Sequence, residues 1–212
     1  MASVTFDQFL PEILPEASGV PYPVAINAVR NACFDFCRKT LIWNEFQDPE
    51  NYTLGTAEYQ VTPASGAQVV QVMSITLDDG RTLDPASIDE TVKVRPTWRT
   101  TVGIIEWFVQ SAPDTFRFVS VPNSSGTYTA QVAYAPLRSA TSIDASIYNL
   151  YLEGIKHGAL WKLKSMNNQP WTDPQGAAFS GGMFLQAISA AIAERTRSNS
   201  RATLRVTPVQ FV

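Results

Sequence analysis

The hydrophobic period of the chain changes twice, and this change constrains the fold more than any other feature. Apolar residues recur every three or four positions over residues 5–43, alternate over much of residues 54–136, and return to helical spacing over residues 143–198. A period near 3.6 indicates helices, and a period of two indicates half-buried strands. The sequence therefore predicts an α+β fold in which N- and C-terminal helices form a helical bundle around an inserted β-rich domain.

The same changes of period predict the domain boundaries. We expect a helical domain from residues 1–53 and 137–199, an inserted β domain at 54–136, and an extended C-terminal arm at 200–212. The arm alternates apolar and polar residues, but Pro208 lacks the backbone donor that a central strand needs. The arm is therefore predicted to add to the edge of a sheet.

Four helices are predicted from the spacing of apolar residues and from local start signals. Thr5 is a candidate cap for the first helix, and Asp173 followed by Pro174 is a cap and a first helical residue for the last one. Gly181 and Gly182 weaken that last helix and predict a kink. Its predicted apolar stripe comprises Phe184, Ile188 and Ala191. The four predicted helices span residues 5–15, 24–43, 143–166 and 174–198.

The residue types needed for catalysis or metal binding are scarce. His157 is the only histidine, and Cys33 and Cys37 are spaced four apart on the apolar side of a predicted helix, where buried core thiols are expected. No nucleophile motif, phosphate-binding loop or DNA-binding motif is present. We therefore predict a protein that is not an enzyme and that holds no metal and no cofactor.

Charge is low and unevenly distributed. Charged residues make up 17% of the chain, against about 25% in typical soluble domains, which indicates a surface covered by copies of the same chain. Four arginines and no acid follow residue 194, and a basic end of this kind fits either an acidic partner or the solvated end of a helix. No apolar run approaches the ~20 residues of a membrane span, so no membrane partner is expected.

A set of small and aromatic residues predicts close packing between two C-terminal helices. Gly154 and Gly158 lie four apart on one helix face, where small residues let a second helix approach. We expect Trp161 and Trp171 to cover the ends of this contact. The helix-packing motif comprises Gly154, Gly158, Trp161, Trp171, Asp173 and Pro174.

Two segments resemble the head–tail adaptor (connector) proteins of tailed bacteriophages, especially those of short-tailed phages. In the N-terminal half the matching residues are Arg30, Ala32, Cys33, Phe36, Cys37, Thr40 and Trp43. In the C-terminal half they are Gly158, Ala159, Leu160, Pro170, Trp171, Asp173 and Pro174. The resemblance covers both helical halves, about half of the chain, whereas the β block matches only in general character.

This resemblance implies a structural virion protein at the head–tail interface, made in the host cytoplasm. Such proteins form rings, usually of twelve copies, that dock under the portal protein and receive tail nozzle or tail tube proteins below. Viral DNA passes through the channel without sequence-specific binding, which an acidic body favours because phosphates are repelled. The family's C-terminal segments grip the portal, so the portal-binding residues expected here are Arg201, Leu204, Arg205, Val206, Val209 and Phe211.

Two other interpretations remain open from the residues alone. A carbohydrate-binding or tail-fibre-like β module would use exposed aromatic rings, for which the candidates are Trp98, Trp107, Tyr128 and Tyr134. A small hydrolase would use His157 as its base. Glycan binding by a monomer would favour the carbohydrate-binding module. Enzymatic turnover that is lost on changing His157 would favour the hydrolase.

Overall fold

Five helices form the α part of the fold in the computed structural model, which describes residues 2–197. A 3-10 turn at Phe6–Phe9 leads into the first helix. The helices are α1 (Leu10–Ile13), α2 (Tyr22–Thr40), α3 (Ile88–Val94), α4 (Ala145–Lys164) and α5 (Pro174–Thr196). All but α3 lie in the segments where the sequence predicts helices.

Local hydrogen bonds explain where the long helices begin and end. The carboxylates of Asp144 and Asp173 accept backbone N–H groups of Ser146 and Gly176, which caps α4 and α5. Helix α2 ends three residues earlier than predicted because Leu41 adopts a left-handed conformation (φ 53°) and donates its N–H to the Cys37 carbonyl.

The first predicted helix is divided rather than continuous. Thr5 occupies the N-cap position, but its side chain makes no capping hydrogen bond, and its backbone belongs to a short strand in which it pairs with Ser142. The predicted kink at Gly181 and Gly182 is wrong, since α5 runs through both glycines without a break. The irregular residue lies in α4 instead, where Tyr151 departs from helical geometry (φ −125°, ψ 18°).

Twelve strands are described, ten of them within residues 44–136. They are β1 (Ser3–Thr5), β2 (Asn44–Phe46), β3 (Glu50–Tyr52), β4 (Glu58–Gln60), β5 (Ala67–Leu77), β6 (Thr82–Pro85), β7 (Val102–Gly103), β8 (Trp107–Ala112), β9 (Thr115–Val119), β10 (Val121–Pro122), β11 (Gly126–Pro136) and β12 (Ser142–Asp144).

The main sheet has the strand order β2-β11-β5-β6-β8-β9-β4, and β3 also pairs with β11. Neighbouring strands are antiparallel except for the parallel pair β6 and β8. The predicted hairpin after β5 forms in register Ile75 with Leu83, and its turn places Gly80 at φ 83°. Two separate pairs, β1 with β12 and β7 with β10, complete the β structure described.

The main sheet curls around an aromatic core. Strands β9 and β11 are separated by three strands in the sheet order, yet the rings of Phe116 and Tyr128 lie 5.3 Å apart. Tyr52 and Tyr59 also contact the Phe118 ring, at 5.7 and 5.4 Å. These rings are contributed from both ends of the strand order, which a flat sheet could not bring together.

The opposite face of the sheet carries a second, smaller core. Period-two alternation turns Phe116 and Phe118 inward, whereas Val109 and Val119 point outward and pack with Trp98. Most of the buried helix residues belong to the larger of the two clusters, where α2 packs against β11 and Trp43 contacts the Tyr134 ring at 6.0 Å. The mixed α+β class predicted from the sequence is confirmed.

Helix α5 is more apolar than the sequence analysis recognised. By length and composition it is long enough and apolar enough to cross a membrane, with a mean hydropathy of 1.4 over its best window. That is the one helix of this kind among residues 2–197, and it corrects the expectation that no apolar segment approaches this length. Only 33% of the window is buried.

Candidate functional site

The two glycines of the helix-packing motif lie where α4 meets other helices. A Cβ atom on Gly158 would lie 2.7 Å from the Phe184 ring of α5 and 3.1 Å from Ala32 of α2. A Cβ on Gly154 would lie 2.7 Å from the Cβ of Ala187. Because ordinary carbon contacts begin near ~3.5 Å, only glycine fits these positions without movement of the neighbours.

The remaining motif residues surround the connection between α4 and α5. The Trp161 indole lies beside Gly181 and its ring centroid is 6.2 Å from that of Phe184. Trp171 is half-buried against the core, and its indole nitrogen is buried without a hydrogen-bond partner. Asp173 caps α5, and Pro174 occupies the first turn, where its missing N–H costs nothing.

Ion pairs tie the segment after α1 to this connection. Lys156 Nζ lies 3.0 Å from Glu16 Oε1, and Lys164 Nζ lies 3.7 Å from the other Glu16 oxygen and 3.9 Å from Asp173. The hydrogen bond from Lys156 lowers the pKa of Glu16, and the same bond raises the pKa of Lys156. Both lysine side chains are largely buried, whereas Glu16 is 43% exposed, so these pairs join the segment after α1 to α4 at the edge of the packed region.

His157 has the surroundings of a packing residue. Its ring meets the edge of Phe179 at 5.9 Å, and its Nδ1 atom is buried without a hydrogen-bond partner. A catalytic base needs a hydrogen-bonded nucleophile or orienting group, and nothing in the described part of the chain supplies either. The hydrolase interpretation therefore has no geometric support at this histidine.

The two cysteines are buried in α2 and reduced. Burial raises the pKa of Cys37 to about 12 and that of Cys33 well above its ordinary value, so both stay neutral thiols. Within residues 2–197, no group of three or more His, Cys, Asp or Glu side chains is arranged to hold a metal ion.

The aromatic residues proposed for glycan stacking are mostly inaccessible. Trp98, Tyr128 and Tyr134 are each 2% exposed and belong to the two cores. Trp107 is half-buried, and the Arg95 guanidinium lies 4.8 Å from its ring centroid. Because sugar stacking needs an exposed ring face, these four side chains do not form a carbohydrate site.

The most distinctive exposed surface is one side of α5, which the sequence analysis did not single out. Large apolar side chains project there, with Phe179 64% exposed, Leu185 52% and Met183 37%. The outer face of α5 comprises Ala178, Phe179, Gly182, Met183, Leu185, Gln186, Ser189 and Ala190. The available signal was the absence of any charged residue between Pro174 and Ala193.

The six residues expected to bind the portal lie outside the described residues. They are Arg201, Leu204, Arg205, Val206, Val209 and Phe211. Their role stays a prediction from the sequence.

A comparison with known protein families identifies a match over almost the whole chain. A family model described as SU10 adaptor protein matches residues 6–207, which include both helical halves and all the strands of the main sheet. No curated protein matches the chain.

Proposed function

The chain belongs to the SU10 adaptor protein family, and from that membership we propose that it forms a ring joining the portal vertex of a phage capsid to the tail. Membership identifies a structural, non-enzymatic phage head–tail adaptor, a virion component that interacts with other virion proteins such as portal and tail. The match over residues 6–207 is the observation that carries the proposal. We further propose a ring of twelve copies in a phage of the short-tailed type.

Two features of the chain support assembly into a ring. The charged fraction is 17%, and the outer face of α5 leaves Phe179 and Leu185 more than half exposed. Exposed apolar surface of this kind marks interaction sites. In this proposal the helical domain (1–53 and 137–199), held by the helix-packing motif, is the scaffold, and the β domain (54–136) receives tail nozzle or tail tube proteins.

Passage of viral DNA through the ring is favoured by the acidic body. Four of the 16 basic residues and none of the 19 acidic ones follow residue 194, which leaves 12 against 19 and a net charge of −7. A negative wall repels phosphates and therefore lets the duplex slide without binding. The synthesis of the chain in the host cytoplasm belongs to the same proposal.

The test is assembly with the portal protein of the same phage. We expect the full chain and purified portal to give a complex in which electron microscopy shows a ring with an open channel, of mass corresponding to twelve copies. A complex with one or two copies per portal, or no complex at all, would contradict the proposal.

The arm at 200–212 is tested separately. Ending the chain after residue 199 should abolish portal binding in a pull-down while the far-UV circular dichroism and melting temperature stay unchanged. As a matched control, alanine at Arg201 and Arg205 removes only the charges, and should weaken binding less than the truncation. Normal docking by the truncated chain would refute the arm's role.

A further inference from the structure

We infer that the outer face of α5 is the surface by which one copy of this chain packs against the next. The inference rests on the proposed ring and adds to it the contact surface and the residues that form its centre. It concerns the helix at Pro174–Thr196, whose inner side packs on α2 and α4.

The apolar residues of α5 extend around the whole helix. Phe184, Ile188 and Ala191 face inward and are buried, whereas Leu185 faces outward and is more than half exposed. Phe179 touches the His157 ring with its edge and is still 64% exposed. A helix that is apolar on all sides is normally buried on all sides. The described chain covers only the inner side, so the outer side requires a partner.

The chemistry of the outer face defines that partner as uncharged. No Asp, Glu, Lys or Arg occurs from Pro174 to Ala193. The hydroxyl of Ser189 donates to the Leu185 carbonyl of its own helix, so it needs no outside partner. A charged surface would lose hydration here and gain no ion pair, whereas an apolar protein surface would gain burial.

Gly182 provides a second, independent observation that points to a partner on the outer face of α5. A Cβ atom at this residue would meet nothing within 4 Å, and its φ is not in the left-handed region. Glycine inside a helix costs about 1 kcal/mol relative to alanine, and nothing within the described chain requires it. Gly181 next to it differs, because its Cβ position is 3.3 Å from the Trp161 indole. Close approach of a backbone from outside explains Gly182, as small residues do between paired helices.

A membrane is a poorer occupant than protein. A spanning helix would have to expose its full circumference to lipid, but Ser180 and Phe184 are buried against the rest of the chain. A helix lying on a membrane surface normally carries Lys or Arg on its polar face, and α5 has none before Arg195. Both observations favour another copy of this chain, whose low charged fraction offers uncharged surface.

The size of the face indicates how the copies associate. The outer face runs from Ala178 to Ala190, so it is about 20 Å long and about 10 Å wide, a face of roughly 200 Å². A stable interface buries about 800 Å² on each partner. The outer face is therefore the apolar centre of a larger contact. Each contact is further stabilised when successive copies close into a ring, because every copy is then held by two neighbours.

Two substitutions on the outer face test this inference in the full chain. Gly182→Arg fills the open space at the centre of the face, and Leu185→Arg replaces an exposed aliphatic side chain with a charge. Val94→Arg is the matched control, because Val94 is 60% exposed on α3 in the β region. Sedimentation velocity, alone and with portal, measures the assembled fraction, and thermal unfolding checks the fold.

At a concentration where the wild type is monomeric, we expect both α5 variants to melt no lower than the wild type, because assembly itself would raise the melting temperature. At assembling concentrations they should lose at least tenfold of the assembled fraction, while Val94→Arg assembles normally. If the wild type forms rings and both α5 variants do so equally well, this inference fails and the proposed ring stands. If the wild type forms only a pair that the α5 variants abolish, the contact between copies stands and the ring fails. Binding of a monomeric wild type to phosphatidylethanolamine–phosphatidylglycerol vesicles, lost in both variants, would overturn the inference in favour of a membrane.

Discussion

Replacing Gly158 with alanine tests how closely α4 packs against its neighbours. The added methyl would lie 2.7 and 2.8 Å from two atoms of the Phe184 ring and 3.1 Å from the Cβ of Ala32. The Phe184 ring is fully buried, with Phe36 and Trp161 each 6.2 Å away, so it has little room to swing aside. The helices themselves must therefore move apart.

The expected change in the free energy of unfolding follows from two opposing effects. Overpacking a buried site costs about 1–3 kcal/mol, and replacing glycine by alanine inside a helix returns about 1 kcal/mol. Because both close neighbours are buried, we expect a cost at the upper end and a net loss of about 1–2 kcal/mol in the free energy of unfolding. For a chain of this size the melting temperature should fall by about 2–8 °C.

Gly182→Ala is the matched control on the neighbouring helix. Its new methyl would meet nothing within 4 Å, so the helix propensity acts alone and should raise the melting temperature by about 2–4 °C. Both variants are measured by thermal and urea unfolding followed by far-UV circular dichroism, at a concentration where the chain is monomeric. A Gly158→Ala variant as stable as the wild type would refute the packing described for Gly158.

Three further predictions concern single side chains. Cys33 and Cys37 should resist thiol reagents until the chain unfolds. Because burial raises the pKa of Cys37 to about 12, the stability that this neutral thiol contributes is complete below the ordinary thiol pKa of about 8.5 and declines as pH rises above it. Urea titration at several alkaline pH values would measure this decline. The hydrogen bond from Lys156 lowers the pKa of Glu16, so the stability from this pair is present above the ordinary glutamate pKa of about 4.3 and is lost as pH falls through the lowered pKa. Glu16→Gln should flatten that acid dependence, whereas an unchanged curve would exclude a role for the pair. Asp173→Ala should cost about 1 kcal/mol by removing the cap of α5, and Asp173→Asn, which keeps an acceptor oxygen, should restore most of it in the same urea assay.

Signals that are local in sequence predicted most of the elements. Caps such as Asp173 and apolar spacing of three and four residues act within one or two turns, so α2, α4 and α5 could be located without tertiary information. Helix α3 was not among the four helices predicted, although Asp89 and Glu90 were placed at a turn or short-helix position and the signal is local. Ser87 accepts the Glu90 N–H in the arrangement that a serine followed three residues later by glutamate predicts.

Contacts between residues that are far apart in the sequence could not be predicted from such local signals. The parallel pairing of β6 with β8 depends on the path of the chain between residues 86 and 106. The curl that brings Phe116 to Tyr128 depends on the twist accumulated over several strands. Likewise, the alternation in β8 indicated two faces but not that Trp98 would cover the outer one.

The α+β class and the adaptor family could both be inferred from the sequence alone, because they rest on period, caps and packing motifs that are local in the chain. The apolar stripe predicted for α5, Phe184, Ile188 and Ala191, is the buried one, but the tertiary structure was needed to show that the opposite side of the helix is left uncovered. An apolar stripe identifies the buried side of a helix when the other side is polar, but α5 is apolar on both. Its inner side was selected by the position of α4, where Gly158 admits Phe184 and leaves Phe179 and Leu185 at the surface.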